Sequence, residues 1–475
     1  LMNPETRQQI RENAQYLRSV RPLDPEEIFE YVEGQPHPAV VRQVLREEAV
    51  DLAIVEREDG TFVPAPEGPL SVPFHGVEAF PAEHERRVEA LLTDAYGPRW
   101  AEGDSGDRLR ERIRDVKERY LRREAVEYDE LSAHGYAVYH LPDYYAVARY
   151  VLADLAAAGL LPKQLRVLDV GAGVGGPALA LSDLAEEAGD VLLDYHAVEP
   201  SAAADVLETL VGAEEGTRRV TVHRETAEAF DLDGRVEAGG PFDLVLFGNV
   251  LNELDEPAAV LRRYLDAVAD DGTAVALEPA DRNTATGLRE IERTVADDGP
   301  ATVYAPTVRL WPHQSPASDS WSFDRKPDLD VPAMQERLDD PAGGTGEFVN
   351  VDVQYAYSVL RTDGERALDI TPDRSKHAPM ADAENYVTDR VNLLAIKLSH
   401  DLSTEDANPL YLLGDGSQRV DHYAVLTDAS MLNEDLRRAD YGDLLSIQNA
   451  LVLWNDDEEA YNVVVDGQTT VDRAR

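Results

Sequence analysis

The stretch Leu165-Arg-Val-Leu-Asp169-Val-Gly171-Ala172-Gly173-Val-Gly175-Gly176 is a short apolar strand that runs straight into a glycine-rich turn. A helical pattern from Ala178 to Glu187 follows. Glycines at such a turn let the backbone bend sharply and pass close to a ligand. The helix start behind it offers N–H groups that have no partner within the helix. Similar turns hold dinucleotides, but glycine spacing alone is a weak sign of any one ligand. The surroundings strengthen it. Leu192–Val198, Arg219–His223, Leu244–Phe247 and Thr273–Leu277 also read as short buried strands, with helical patterns between them. That alternation predicts an α/β fold: a doubly wound, parallel, Rossmann-like core over residues 131–300.

Three features resemble the class I, S-adenosylmethionine-dependent methyltransferases. The strand ends in Asp169, with Gly171 and Gly173 behind it. The next strand ends in Ala197-Val-Glu199-Pro200-Ser201, whose carboxylate suits two ribose hydroxyls. Phe242-Asp-Leu-Val-Leu-Phe-Gly-Asn249-Val-Leu-Asn252-Glu253 resembles the fourth strand and the loop where donor and acceptor meet. The resemblance implies S-adenosyl-L-methionine as cofactor. It would be held by Asp169, Gly171, Ala172, Gly173, Gly175, Glu199, Pro200, Asn249 and Asn252. Asn249, Asn252 and Glu253 have a second reading, as caps of a following helix. No residue stands out as catalytic. A sulfonium is already activated, so alignment and exclusion of water carry the reaction. The Asn/Asp-Pro-Pro-aromatic motif of base amino-group methylation is missing after the fourth strand. Carbon-5 pyrimidine methylation lacks its cysteine nucleophile, because the chain contains no cysteine.

The flanks differ in pattern. Residues 1–130 are mainly helical, and two capped helices followed by a hairpin at Asp59-Gly60 read either as a winged-helix module or as a helical cap. A long charged helix is expected over Arg108–Tyr128. Residues 301–385 form a Pro-rich, aromatic segment that completes the core. Residues 386–475 carry strand patterns and a hairpin at Asp456-Asp457, which predict a five-stranded, OB-like β-barrel.

The net charge is -47, from 92 acidic against 45 basic residues, with the acids spread through every segment. Lysine occurs only at 117, 163, 326, 376 and 397. Dense carboxylates with so little lysine predict a halophilic, archaeal protein, since at about 1 M salt the Debye length is only about 3 Å. The charge therefore does not exclude a nucleic-acid partner. Disulfides and thiolate metal sites are excluded. No apolar run reaches the roughly 20 residues of a membrane span. The start, Leu1-Met-Asn-Pro-Glu-Thr-Arg, carries no secretory leader, so the expected compartment is the cytoplasm.

A further set of residues narrows the resemblance. Tyr136-Ala-Val-Tyr-His140-Leu-Pro142-Asp-Tyr-Tyr145 lies where a helix would close over the cofactor. Leu251-Asn-Glu-Leu254, Val303-Tyr-Ala-Pro306, Trp311-Pro-His313, Trp321-Ser-Phe323 and Gln354-Tyr-Ala-Tyr-Ser-Val-Leu-Arg361 follow. Together, over about residues 130–362, these resemble the methyltransferase-like family associated with the small subunit of the mitochondrial ribosome. That family carries cysteines after the Ala-Pro, taken to hold an iron–sulfur cluster or another metal. Here Thr307, Ser315 and Ser322 occupy the stretch, and His313 alone makes no site. No metal is expected, and Trp311, Trp321 and Phe323 are expected to hold the segment by packing. The resemblance implies a methyltransferase acting on RNA, with rRNA or the small ribosomal subunit as partner. Two alternatives stay open: a non-catalytic, S-adenosylmethionine-binding assembly factor, and a small-molecule methyltransferase.

Overall fold

Asn3, Asp24 and His37 each place a side-chain acceptor over the first turn of a helix that begins with proline. Such caps satisfy N–H groups that the helix cannot. They fix the starts of the helices Pro4–Leu17, Pro25–Ile28 and Pro38–Glu47. The hairpin follows: β1 (Ile54–Glu56) pairs with β2 (Phe62–Pro64) around a turn in which Gly60 has φ 80°. Ile10, Val41, Leu45, Leu52 and Phe62 form the core of this region. These details come from a computed structural model, which describes residues 3–122, 124, 126–212, 216–404 and 407–474.

The helix expected over Arg108–Tyr128 begins earlier and stops earlier, at Gly103–Arg122. Asp129 then caps a new helix, Glu130–Tyr139, by accepting from Ser132 N–H, so the chain turns before Tyr128 could extend the first. Positions 123 and 125 of that expectation lie outside the described residues, as do Leu1 and Met2.

Contacts divide the chain into two units that do not follow the boundaries read from the sequence. The first comprises Leu1–Gly248, Ala267–Gly272 and Pro327–Val353. It holds β3 (Gln164–Val170), β4 (Leu192–Val198), β5 (Arg218–His223) and β6 (Phe242–Gly248) in the order β5-β4-β3-β6, all parallel. Every residue of β4 is buried, which explains why it reads as a continuous run rather than an alternation. Its one carboxylate, Asp194, is opposed by burial. Bonds from His196 and Arg219 overcome that and hold it well below the usual range.

The second unit comprises Asn249–Asp266, Thr273–Lys326 and Gln354–Arg475. β7 (Val268–Pro279) starts in the first unit and continues into the second. There follow β8 (Thr302–Ala305), β9 (Asp324–Arg325) and β10 (Gln354–Arg361). β10 runs antiparallel to β7, β8 and β9. The parallel sheet expected from sequence is thus a mixed one. The alternating pattern ends at β7, and β10 returns only after the Pro-rich insertion, in the opposite sense.

Beyond it, β11 (Arg390–Lys397), β12 (Leu410–Gly414), β13 (His422–Leu426), β14 (Leu444–Asn455) and β15 (Ala460–Val465) close into a barrel. The closed order is β11-β12-β13-β15-β14-β11, with only β13 and β15 parallel. A sixth strand, β16 (Thr470–Arg473), adds to β14. Closure leaves the five strands no free edge. Leu393, Ala395, Leu413, Ala424, Ile447 and Val463 fill the interior. Ile447→Ala should cost about 2–5 kcal/mol, because the closed wall cannot collapse onto the cavity. Chemical denaturation of variant against wild type checks this. No helix among the described residues is long and apolar enough to cross a membrane.

Candidate cofactor site

β3 delivers Asp169 and the glycine turn to one point. Gly171, Gly173 and Gly175 all have positive φ (72°, 53° and 94°), the left-handed region that side chains disfavour. The N–H groups of Gly171 and Ala172 donate to the Val198 carbonyl at the end of β4, at 2.8 and 3.2 Å. The glycines answer different demands. A Cβ on Gly176 would stand 3.0 Å from Tyr144 Cβ, so the helix Leu141–Ala157 can approach the turn only because residue 176 has none. A Cβ on Gly173 would meet nothing closer than the Gly171 carbonyl oxygen at 4.0 Å. The turn is therefore crowded beneath and open at Gly173.

Two carboxylates face this turn. Glu199 is buried, and its Oε2 accepts from Gly173 N–H at 2.9 Å while Oε1 accepts from Ser201 N–H at 2.9 Å. It ties the end of β4 to the turn. A carboxylate has about four acceptor positions, so two remain for other donors. Asp169 is fully buried: Oδ2 accepts from the Tyr195 hydroxyl, and Oδ1 has no partner. Burial raises its pKa to about 7 despite the Tyr195 bond, with the Glu199 charge adding to the rise. A buried acceptor left unmet is costly. Ala172 is buried in the turn, and Pro200 is exposed just after Glu199.

The run Tyr136–Tyr145 forms an aromatic wall in the same unit. Tyr136 and His140 rings lie 4.8 Å apart, and His140 stacks on Tyr144 at 5.2 Å with an interplanar angle of 20°. Asn350 Nδ2 meets the Tyr139 carbonyl and His140 Nδ1, each at 3.2 Å. Tyr144 is thus both part of the wall and the close neighbour of Gly176.

Asn249 and Asn252 belong to the second unit. Asn249, at φ 55°, donates its N–H to the Leu277 carbonyl at 2.8 Å. Asn252 does not cap a helix: its side-chain amide donates to Glu278 Oε2, and its N–H lies 3.4 Å from Oε1. The following helix, Pro257–Leu265, has no side-chain cap. Glu278 escaped the sequence reading. It is buried, and burial lifts its pKa to about 8 against the lowering bonds from Asn252. Its one sequence signal is an acid closing the apolar run Ala274–Leu277.

The segment after β8 is held by aromatic and hydrogen-bonding contacts. Trp311 and Phe323 are buried, and Trp311 donates from Nε1 to Asp415 at 2.7 Å; Trp321, expected to pack, is instead exposed, its ring 5.4 Å from Phe323 and its Nε1 donating to the Ala280 carbonyl. Thr307 Oγ1 donates to the Tyr304 carbonyl, and Ser322 Oγ to the Leu398 carbonyl. Among the described residues, no group of three or more His, Asp or Glu could hold a metal ion.

These residues fit an adenosyl-methionine group. Glu199 has acceptor capacity for ribose hydroxyls, Asp169 Oδ1 lacks a donor of the kind an ammonium provides, and the space over Gly173 is clear.

Residues 140–330 match the family profile described as a methyltransferase domain. Residues 7–58 and 381–474 match the N-terminal and C-terminal domains of a domain of unknown function, DUF8157. None of the curated proteins matches the chain. Among solved structures it is similar to a plantazolicin methyltransferase in complex with a pentazolic desmethyl analogue and SAH, at 9% identity over 59% of this chain and 97% of that one (TM-score 0.30). It is also similar to a proposed RNA methyltransferase from Pyrococcus horikoshii, at 13% identity over 47% and 86% (TM-score 0.28). A sugar N-methyltransferase from Streptoalloteichus sp. shows 23% identity over 29% and 47% (TM-score 0.20). With the glycine turn, Glu199 and Asp169 inside the matched span, residues 140–330 are a methyltransferase domain whose site fits S-adenosylmethionine.

Proposed function

We propose that the enzyme methylates RNA, with rRNA of the small ribosomal subunit, or a particle on the way to that subunit, as its target. The observation that carries the donor half is the bond from Gly173 N–H to Glu199 beside the unmet Asp169 Oδ1. The acceptor half rests on the resemblance of residues 130–362 to the ribosome-associated family. The five-stranded barrel adds support, because its closed order fits the OB-like reading of residues 386–475. The N-terminal helices and hairpin fit a winged-helix module. The charge of -47 supports a cytoplasm of molar salt as the working medium, as in halophilic archaea.

When bound, the donor supplies an activated methyl group. Glu199 orients the ribose, Asp169 accepts from the amino end, and the Tyr136–His140–Tyr144 wall excludes water on the near side. Transfer of labelled methyl from S-adenosylmethionine to small-subunit particles in molar salt tests the reading. Label in the RNA is the expected result. Donor binding with label in neither RNA nor ribosomal protein would leave the assembly-factor reading, and label in small molecules alone the metabolic one.

A further inference from the structure

The donor-site chemistry does not use the barrel, yet the second unit contains a cleft of about 980 Å³ against the barrel wall. That is at the upper end of the range for small-ligand sites. Trp454 and Tyr461, the ends of β14 and β15, form one wall, with ring centroids 4.8 Å apart. Trp454 is 38% exposed, and its indole N–H is anchored on Asp456 at 2.9 Å, which fixes an aromatic face toward solvent. His422 lies beneath, 5.0 Å from Tyr461. His422 is only 2% exposed; its Nδ1 meets the Val420 carbonyl at 2.9 Å. The ring also lies by the Met380 carbonyl, so two backbone carbonyls hold it in place beneath the aromatic pair. His313, the histidine of the Trp-Pro-His segment, stands at the rim.

The sign of the charge decides between ligands. Aromatic pairs on barrels stack nucleobases when the surrounding surface is basic. Here the turn joining the two aromatic strands is Asp456-Asp-Glu-Glu459, and Asp382 and Glu384 line the cleft beside Arg419, with Asp382 paired to Arg374 at 3.5 Å and Glu384 exposed. An ammonium or guanidinium finds aromatic faces and carboxylates together here, whereas a phosphate finds Arg419 as the one arginine lining the cleft.

The geometry points to a docking site for a Lys- or Arg-rich protein segment, seated between Trp454, Tyr461 and the acidic walls at Asp382 and Glu384. It goes beyond the proposed methylation and does not depend on it.

A fluorescent ten-residue peptide of alternating Arg and Gly tests this, in about 1 M salt so that diffuse attraction to the acidic chain is screened. Its anisotropy is measured with the full chain. Trp454→Ala should weaken binding by about tenfold, the scale of a desolvated cation–π contact. Glu384→Lys, at an exposed position, should weaken it similarly, and Trp454→Phe should restore most of it. Asp266→Asn, an exposed acid away from the cleft, should change nothing. S-adenosylmethionine binding should persist in all four variants, so failure here is distinguishable from failure of the methyltransferase reading. Equal peptide affinity in wild type and Trp454→Ala overturns the inference. So does a ten-nucleotide oligo-uridine that binds wild type, loses affinity in Trp454→Ala, and outcompetes the peptide.

Discussion

Gly173→Arg should lower the affinity for S-adenosylmethionine by about 100-fold or more, equivalent to about 2.7 kcal/mol of binding free energy. The space over Gly173 is clear of protein, so a side chain there takes the volume the donor needs. The substitution also strains the backbone, because residue 173 has φ 53°, and a left-handed residue costs about 1–2 kcal/mol. Gly189→Arg separates the two effects. Gly189 is likewise left-handed, at φ 64°, with nothing within 4 Å of its absent Cβ, but it caps the C-terminal end of the helix Gly176–Ala188, whereas Gly173 lies in the turn before that helix. Calorimetric titration should show donor binding retained in Gly189→Arg and lost in Gly173→Arg, with similar melting temperatures. Equal loss in both would mean that strain, not occupied space, governs the turn.

Glu278→Gln should make the protein more stable than wild type at alkaline pH. The carboxyl has a pKa of about 8 when folded, against 4.5 for the group in water. Below pH 4.5 both states hold the proton and the group imposes no penalty. Between pH 4.5 and 8 the unfolded chain releases it while the folded chain keeps it, so wild-type stability falls as pH rises through that window. Above pH 8 the loss is complete, at most roughly 5 kcal/mol at about 1.4 kcal/mol per pH unit. Glutamine keeps a carbonyl for the Asn252 amide and cannot ionise. The variant-minus-wild-type difference in denaturation free energy should therefore grow from pH 4.5 to 8 and then level off. A difference that does not vary with pH would show that Glu278 is ionised in the folded protein.

The donor half of the site was legible because its signals are local. A strand, three left-handed glycines and an acid at the end of the next strand lie in one stretch of chain, and their spacing follows from the sheet. Glu278 and Asn252 were not legible as a pair. They meet through the fold, 26 residues apart, and a glutamate closing an apolar strand resembles any strand end. Asn252 read either as a donor-site residue or as a helix cap, because asparagine suits both, and the buried carboxylate that takes its amide has no trace nearby. The antiparallel β10 was hidden for a related reason. Its pairing with β7 spans the whole Pro-rich insertion, and pattern alone carries no sense of direction. In the barrel, β14 and β15 were plain from their length and hairpin, while β16, of four residues, is too short to show a period.

Equilibrium dialysis of the wild-type chain against labelled S-adenosylmethionine, in molar salt, tests the central claim most directly. Saturable binding at one site per chain, displaced by S-adenosylhomocysteine and absent in Gly173→Arg, is the predicted result. A folded chain that retains no label at millimolar donor would contradict it.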